Sequence, residues 1–439
     1  MSVTGNTGDN RVSGTSSSGA GVSLGDGAVT GTGSTVTGTS ETGSGAVING
    51  SVSNQGTVSG TSQKGNGTDL LAAGILRGAG SVSGSSTAGT GVSVTGNTGD
   101  NRVSGTSSSG TGVSLGDGAI TGTGSTVTGT SETGSGAVIN GSVSNQGTVS
   151  GTSQKGNGAD LLAAGILTGV GSVSGTTQEG GTGTVISGTV SGNTVYGESA
   201  AGTGVMVNNG ATVSGVAVNG RTQSGTGVFW RNRVKNNHAV ISGDALSGLG
   251  VYLESDTTLN DTAVRGSTQT GTGVSVAGEL SGGTIAGKAG GSGDAVNLKG
   301  GAVSGTDITG DSRDGSGVVI SGPVILSSGT LTGKTVNGTG LNITTGALTQ
   351  KVGAGVRGEV NGGNGRPYNG TVLDILLAER IAQEQSAQNQ LQNRSGQVNT
   401  GSSSGEVNIS ICADTEGSPA ACQVVSAGTP GVNGVLRRR

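Results

Sequence analysis

The chain is poor in the residues that ordinary enzymes use for cores and sites. In 439 residues there are one Trp, three Tyr, one Phe, one His, two Cys and four Pro, and only 11% of residues are charged. So few aromatics exclude a membrane barrel, whose interfacial girdles need many Trp, Tyr and Phe. With so little Pro and no Gly at every third position, collagen is excluded. A net charge of −4 with no basic stripe argues against a nucleic-acid partner. No apolar run approaches the roughly 18 residues needed to span a bilayer, so no transmembrane segment is expected. The N-terminus lacks the charged start, apolar core and cleavage site of a signal peptide. With His238 as the only histidine, a Ser-His-Asp arrangement would have to run through it, and no cofactor or metal motif is found.

What is abundant is Gly, Ser and Thr, which together make up 211 residues. They are ordered rather than scattered. Residues 2–19 and 93–110 both read SVTGNTGDNRVSGTSSSG, and the likeness extends over two blocks, 1–91 and 92–182. Met1 falls where Val92 falls in the second block, so the chain is expected to be the downstream part of a longer protein. A shorter period lies inside the long one. Gly-x-Gly followed by apolar residues recurs from Gly19 to Gly338, about every 23 residues, the length of one solenoid turn. Each unit has a second landmark, an apolar residue, any residue, Gly, then usually another residue and Ser or Thr: VSGTS at 103–107, VTGTS at 127–131, ITGDS at 308–312.

Within the units the period is 2. In GVSV (91–94) and GVSL (112–115), Val92, Val94, Val113 and Leu115 alternate with Ser, as in a half-buried strand. Strands this short need stacked equivalents at about 4.8 Å. The expectation is an all-β fold, a right-handed parallel β-helix of three short strands per coil. Fifteen coils over residues 1–350 would give a rod of roughly 70 Å. Residues 351–370 read as a linker and 371–396 as a helix, with Leu373, Leu377 and Ile381 at i+4 spacing, covering the last coil. Residues 397–439 form a Ser/Gly-rich tail whose Cys412 and Cys422 would close a small loop in an extracytoplasmic setting.

Candidate chemistry is sparse. The least regular coil carries FWRNRVKNNHAV at 229–240. Alternation turns Val228 and Trp230 inward and Phe229 outward, leaving Phe229, Arg231, Arg233, Lys235 and His238 as a candidate ligand patch for a sugar or an anion. The competing reading is a loop that bulges to accommodate Trp230. Asp307, Asp311 and Asp314 are the carboxylates nearest to a glycosidase pair, but they occupy corner positions without aromatic platforms. A threonine row suited to ordering ice holds at Thr106, Thr130, Thr152 and Thr176, then gives way to Glu198, Arg221, Asp244, Ser267, Lys288 and Asp311.

The G-x-G-V and V-x-G-x-S/T coils of residues 1–350 resemble, in style, the filamentous-haemagglutinin-like bacterial exoproteins of two-partner secretion. That resemblance implies a non-enzymatic, secreted or cell-surface adhesin associated with the Gram-negative outer membrane. Its implied partners are a host-cell or bacterial surface glycan or protein receptor and an outer-membrane two-partner transporter. It also implies that Cys412 and Cys422 help to retain the chain at that transporter. The alternative is a polysaccharide-binding or -degrading β-helix protein.

Overall fold

The computed structural model describes residues 1–255, 257–345, 348–370, 372–374, 407–412 and 422–427. It divides into two units, Met1–Leu376 and Leu377–Arg439. The first is an all-β parallel solenoid of about 16 turns. In the second, Val407–Cys412 pairs antiparallel with Cys422–Ala427, with the positions of Cys412 and Cys422 directly opposed.

Each coil of the solenoid repeats three strands. A long strand carries the V-x-G-x-S pattern, as in Thr35–Ser40, Thr57–Ser62 and Ser81–Ser86. A tight turn leads to a short strand, as in Ala46–Ile48, and a corner leads to a third, as in Ser51–Asn54. Long strands pair in parallel and in register, Val on Val and Gly on Gly, through Val36, Val58, Val82 and Val103. The sequence period thus becomes the ladder repeat. Inward residues from all three faces form one core cluster, including Val36 from the long face, Ile48 from the short face and Leu76 from the third, each essentially inaccessible. Fully burying one such aliphatic side chain contributes about 1.5–3 kcal/mol.

One edge of each coil has no side-chain core. There the Gly of V-x-G faces the second Gly of G-x-G, and the two sheets meet backbone to backbone. A Cβ on Gly129 would lie 2.0 Å from the Gly136 carbonyl oxygen, and one on Gly136 would lie 2.2 Å from the Thr152 amide nitrogen. The same contact recurs from Gly38 against Gly45 to Gly333 against Gly340, with Ala295 in the second glycine's place opposite Gly287. The two glycine signatures of the sequence are therefore the two walls of one seam.

The Ser/Thr two residues past the V-x-G glycine has a different task. Ser131 Oγ donates to the Gly110 carbonyl of the preceding coil at 2.7 Å and accepts from the Gly134 amide at 2.9 Å. Ser107, Ser153 and Ser312 do the same. The hydroxyl both caps its own turn and ties it to the turn before. The row stops at Ala245 and Ala289, and between them the buried Thr268 Oγ1 has no partner. Next to this gap, long and short strands run together without a break in Ala217–Trp230 and Val240–Leu253.

At the third corner a buried asparagine reaches across an entire coil. Asn145 accepts from Thr121 Oγ1 at 2.5 Å and donates to Asn193 Oδ1 at 2.8 Å. The coil between contributes Gly171, whose Cβ would lie 2.6 Å from the Asn145 amide nitrogen. Asn54, Gly80 and Asn101 repeat the device in the first block.

The solenoid continues past residue 350, through residues expected to be a linker. Ala354–Val360, Arg366–Asn369 and Val372–Asp374 extend the three ladders. The GAGV at 353–356 looks like the start of a short strand, but it belongs to a long one, with Val356 on Leu331 and Gly358 on Gly333. Pro367 then stands in the glycine seam, its carbonyl 2.0 Å from where a Gly358 Cβ would be. Of the helix expected over 371–396, Val372–Asp374 pair as a strand; residues 375–396 lie outside the described residues, and no described residue is helical.

The seam and the hydroxyl row each lead to a stability prediction. Gly129→Ala should cost about 1–3 kcal/mol through backbone overpacking, read as a lower thermal midpoint. Gly5→Ala, with nothing within 4 Å of the added Cβ, should leave the midpoint unchanged. Ser131→Ala should cost about 1–3 kcal/mol by stranding a buried donor, while Ser131→Thr should be tolerated, since Thr335 fills that position with the same two hydrogen bonds.

Candidate functional site

The outward column of the short strands is apolar or aromatic over four successive coils, Val185, Met206, Phe229 and Tyr252, held in register. Alternation along Val228–Trp230 decides which side each residue takes. Val228 and Trp230 are fully buried and Phe229 is half-exposed, as the sequence pattern expects. Trp230 takes the inward place that Leu253 fills in the next coil, and its indole N–H has no hydrogen-bond partner.

Outside, the Phe229 and Tyr252 ring centroids are 5.1 Å apart with planes tilted by 35°. The Arg231 guanidinium carbon lies 5.0 Å from the Phe229 centroid, and Lys299 Nζ lies 4.9 Å from the Tyr252 centroid. Lys299 comes from two coils further on and reaches back over Ser275, the residue between Tyr252 and Asn297 in the column. Ser275 is buried, and its Oγ has no hydrogen-bond partner; the enclosed Arg231 Nε has none either. The result is a cation–aromatic–aromatic–cation stack along the solenoid axis. A cation over a ring contributes about 0.5–1 kcal/mol at an exposed site. Because Lys299 occupies a face of Tyr252, the stack offers held charge more readily than an open ring on which a sugar could lie.

The five residues expected to share one patch separate. Phe229 and Arg231 are together, joined by Tyr252 and Lys299, which the sequence reading missed. Their signal was available as the same outward register, 23 residues after Phe229 for Tyr252. Arg233 lies in the following corner with a left-handed φ of 56°, and Lys235 lies on the third strand opposite Thr212. His238, with φ 51°, is exposed and sits 3.4 Å from Asp261. Arg233, His238 and Asp261 are the described non-glycine residues with positive φ, a costly conformation for side chains. They mark the place where the third ladder breaks between Lys235–Asn237 and Thr257–Thr258. Asn236 bridges that break, donating to the Thr258 carbonyl at 2.6 Å and accepting from Thr262 Oγ1 at 2.9 Å.

Of the three clustered aspartates, Asp307 and Asp314 are hydrogen-bonded to the adjoining coil. Asp307 Oδ1 accepts from the Thr330 amide and hydroxyl at 3.0 and 2.8 Å, and Asp314 accepts from Asn337 at 2.7 Å. Asp311 stands in register between Lys288 and Lys334. Two other groups titrate away from their usual ranges. Burial raises the Asp160 carboxyl, against hydrogen bonds from Ser135 and Asn157 that lower it. Burial and then a hydrogen bond to Glu198 raise the Tyr196 phenol. Among the described residues no three His, Cys, Asp or Glu side chains group to hold a metal ion, and no helix is long and apolar enough to cross a membrane.

No family model, no curated protein and no solved structure matches the chain.

The stack makes a measurable claim. A double-mutant cycle of Phe229→Leu and Tyr252→Leu, followed by chemical denaturation, should give a coupling energy of about 0.5–1.5 kcal/mol. Lys299→Met should reduce that coupling, because Lys299 holds the Tyr252 ring in place.

Proposed function

We propose that this chain is a display structure of the β-helical surface-adhesin type, attaching a cell to other cells or surfaces through repeated contacts and without catalysis. The single observation that carries the reading is the in-register repetition of outer surface. The outward positions of the long strands in the two four-coil blocks are hydroxyl columns, such as Thr126, Thr128 and Thr130 beside Thr148, Ser150 and Thr152, interrupted once in each block by an arginine, Arg11 and Arg102. Four coils at about 4.8 Å put equivalent surface every 19 Å or so. A receptor that binds one copy weakly binds several at raised effective concentration, and avidity rises without a new contact. Export by a two-partner transporter, a surface location and a glycan or protein receptor belong to the same proposal, supported by the likeness of the coils to filamentous-haemagglutinin-like exoproteins.

The test is a deletion of residues 92–183, which joins Gly91 to the equivalent register position at Thr184. Beads coated with the full chain should adhere to some members of a panel of mammalian cells, bacterial cells and immobilised polysaccharides. The deletion, if its melting profile is preserved, should lower retention by about tenfold or more, as lost avidity requires. Equal retention by both forms would sink display by repetition. Depolymerisation of a polysaccharide, lost on Asp311→Asn, would favour the degrading alternative.

A further inference from the structure

The fifth position of each long strand faces outward. After the hydroxyls of the first half it reads, coil by coil, Glu198, Arg221, Asp244, Ser267, Lys288, Asp311 and Lys334. Neighbours of opposite sign at one coil's spacing suit the single chain, and at the end of the row Lys334 Nζ and Glu359 are 3.6 Å apart. The order has a second property that this intramolecular role does not require. It inverts its sign about Ser267. One coil to either side stand Asp244 and Lys288, two coils away Arg221 and Asp311, three coils away Glu198 and Lys334.

We propose that two copies of the chain pack long face to long face, antiparallel, about a two-fold axis that runs along the Ala263–Thr268 strand. That operation keeps a residue's place within its strand and reverses the order of coils. Asp244 of one copy then meets Lys288 of the other, Arg221 meets Asp311, and Glu198 meets Lys334. The symmetry makes each pair twice. Parallel packing about an axis along this column would set each charge on its like. Ser267, the neutral member, meets itself on the axis.

The rest of the face fits the same operation. In the third-position column Ser242 comes opposite Ala286, and Asn219 opposite Thr309. Arg265 meets its own counterpart and is the one like-charge contact in that column. Leu246, 60% exposed, stands one residue past the strand position of Ala245 and comes opposite Gly290. Leu246 and Gly290 line one groove of about 680 Å³ together with Arg221, Asp244, Gln269 and Lys288. The exposed leucine thus comes opposite a glycine beside which the Gln269 side-chain amide lies, its Oε1 2.5 Å from where a Gly290 Cβ would be, in the groove that the axis crosses. Seven coils of six-residue strands cover roughly 34 by 20 Å. Two such faces bury about 1,300 Å² in total, at the lower end of the range for specific interfaces.

The experiment is sedimentation of the full chain at high micromolar concentration. A dimer is expected at about 0.02 M salt and its dissociation at about 0.5 M, where exposed charges are screened. Asp244→Lys should weaken the dimer by about tenfold or more, the loss of two pairs of contacts. Adding Lys288→Glu should restore it, because the two introduced charges are again opposite in sign where one copy faces the other. Ser267→Cys should oxidise to a covalent dimer, while Ser242→Cys and the parent chain, with Cys412 and Cys422 as the shared background, should not. A monomer at low salt, or a double variant that associates no better than Asp244→Lys while keeping the parental melting profile, would overturn the proposal. Equal cross-linking at positions 242 and 267 would overturn the axis.

Discussion

The close approach of two backbones along the glycine seam is the constraint on which the rest of this solenoid depends. Where the long and short sheets meet, a Cβ on the long-strand glycine would lie about 2 Å from the facing carbonyl oxygen, whether that carbonyl belongs to glycine or, in two coils, to Ala295 or Pro367. That contact brings the long strand, the turn and the short strand of every coil into one repeated geometry. Once the glycines are in register, the valines before them must stack in the core. The hydroxyls after them must stack at the turn, within reach of the carbonyl of the coil before. One local steric requirement thereby fixes register across the whole length, and a slip by one residue would bring side chains into the seam at every level.

The turn hydroxyls show how this frame tolerates variation. Where Ser or Thr is present with both hydrogen bonds, the turn is closed and capped. Around Ala245, Thr268 and Ala289 the hydroxyl is missing or unpartnered, and two neighbouring coils run straight through the corner as 14-residue strands. The same region carries the outward charges, the exposed Leu246 and the cation–aromatic stack. The non-duplicated half of the chain thus combines a less regular frame with a more varied outer surface, while the duplicated half keeps a regular frame beneath a long face made mostly of hydroxyls. The proposed display function would use both kinds of surface, one for repetition and one for distinct contacts.

Much of the architecture was legible from particular residues. The alternation in Val92-Ser93-Val94 gave the side of each residue, and the same rule placed Trp230 inside and Phe229 outside. The misplaced boundary near residue 350 has a specific cause. G-x-G followed by valine opens short strands elsewhere in the chain, whereas at 353–356 the pairing of Val356 with Leu331 makes it part of a long strand. The candidate site was partly legible for a similar reason. Phe229 and Arg231 are two residues apart, so a linear reading groups them, whereas Tyr252 and Lys299 arrive from other coils. Lys235 and His238, near in sequence, turn onto the third strand and its corner.

The sequence by itself determined the repeat, the number of strands per coil and the alternation of inward and outward residues, because each depends on spacing along the chain and on which side chains water excludes. It also contained the charge order from Glu198 to Lys334, but as separate letters some 23 residues apart. Only the tertiary structure turned them into a row, because parallel in-register pairing brings residues one coil apart to within a strand spacing. The closed seam, the asparagines that span a coil through a glycine, and the stack of Arg231, Phe229, Tyr252 and Lys299 were decided there too. All of them depend on distances between coils, which no local preference of the chain specifies.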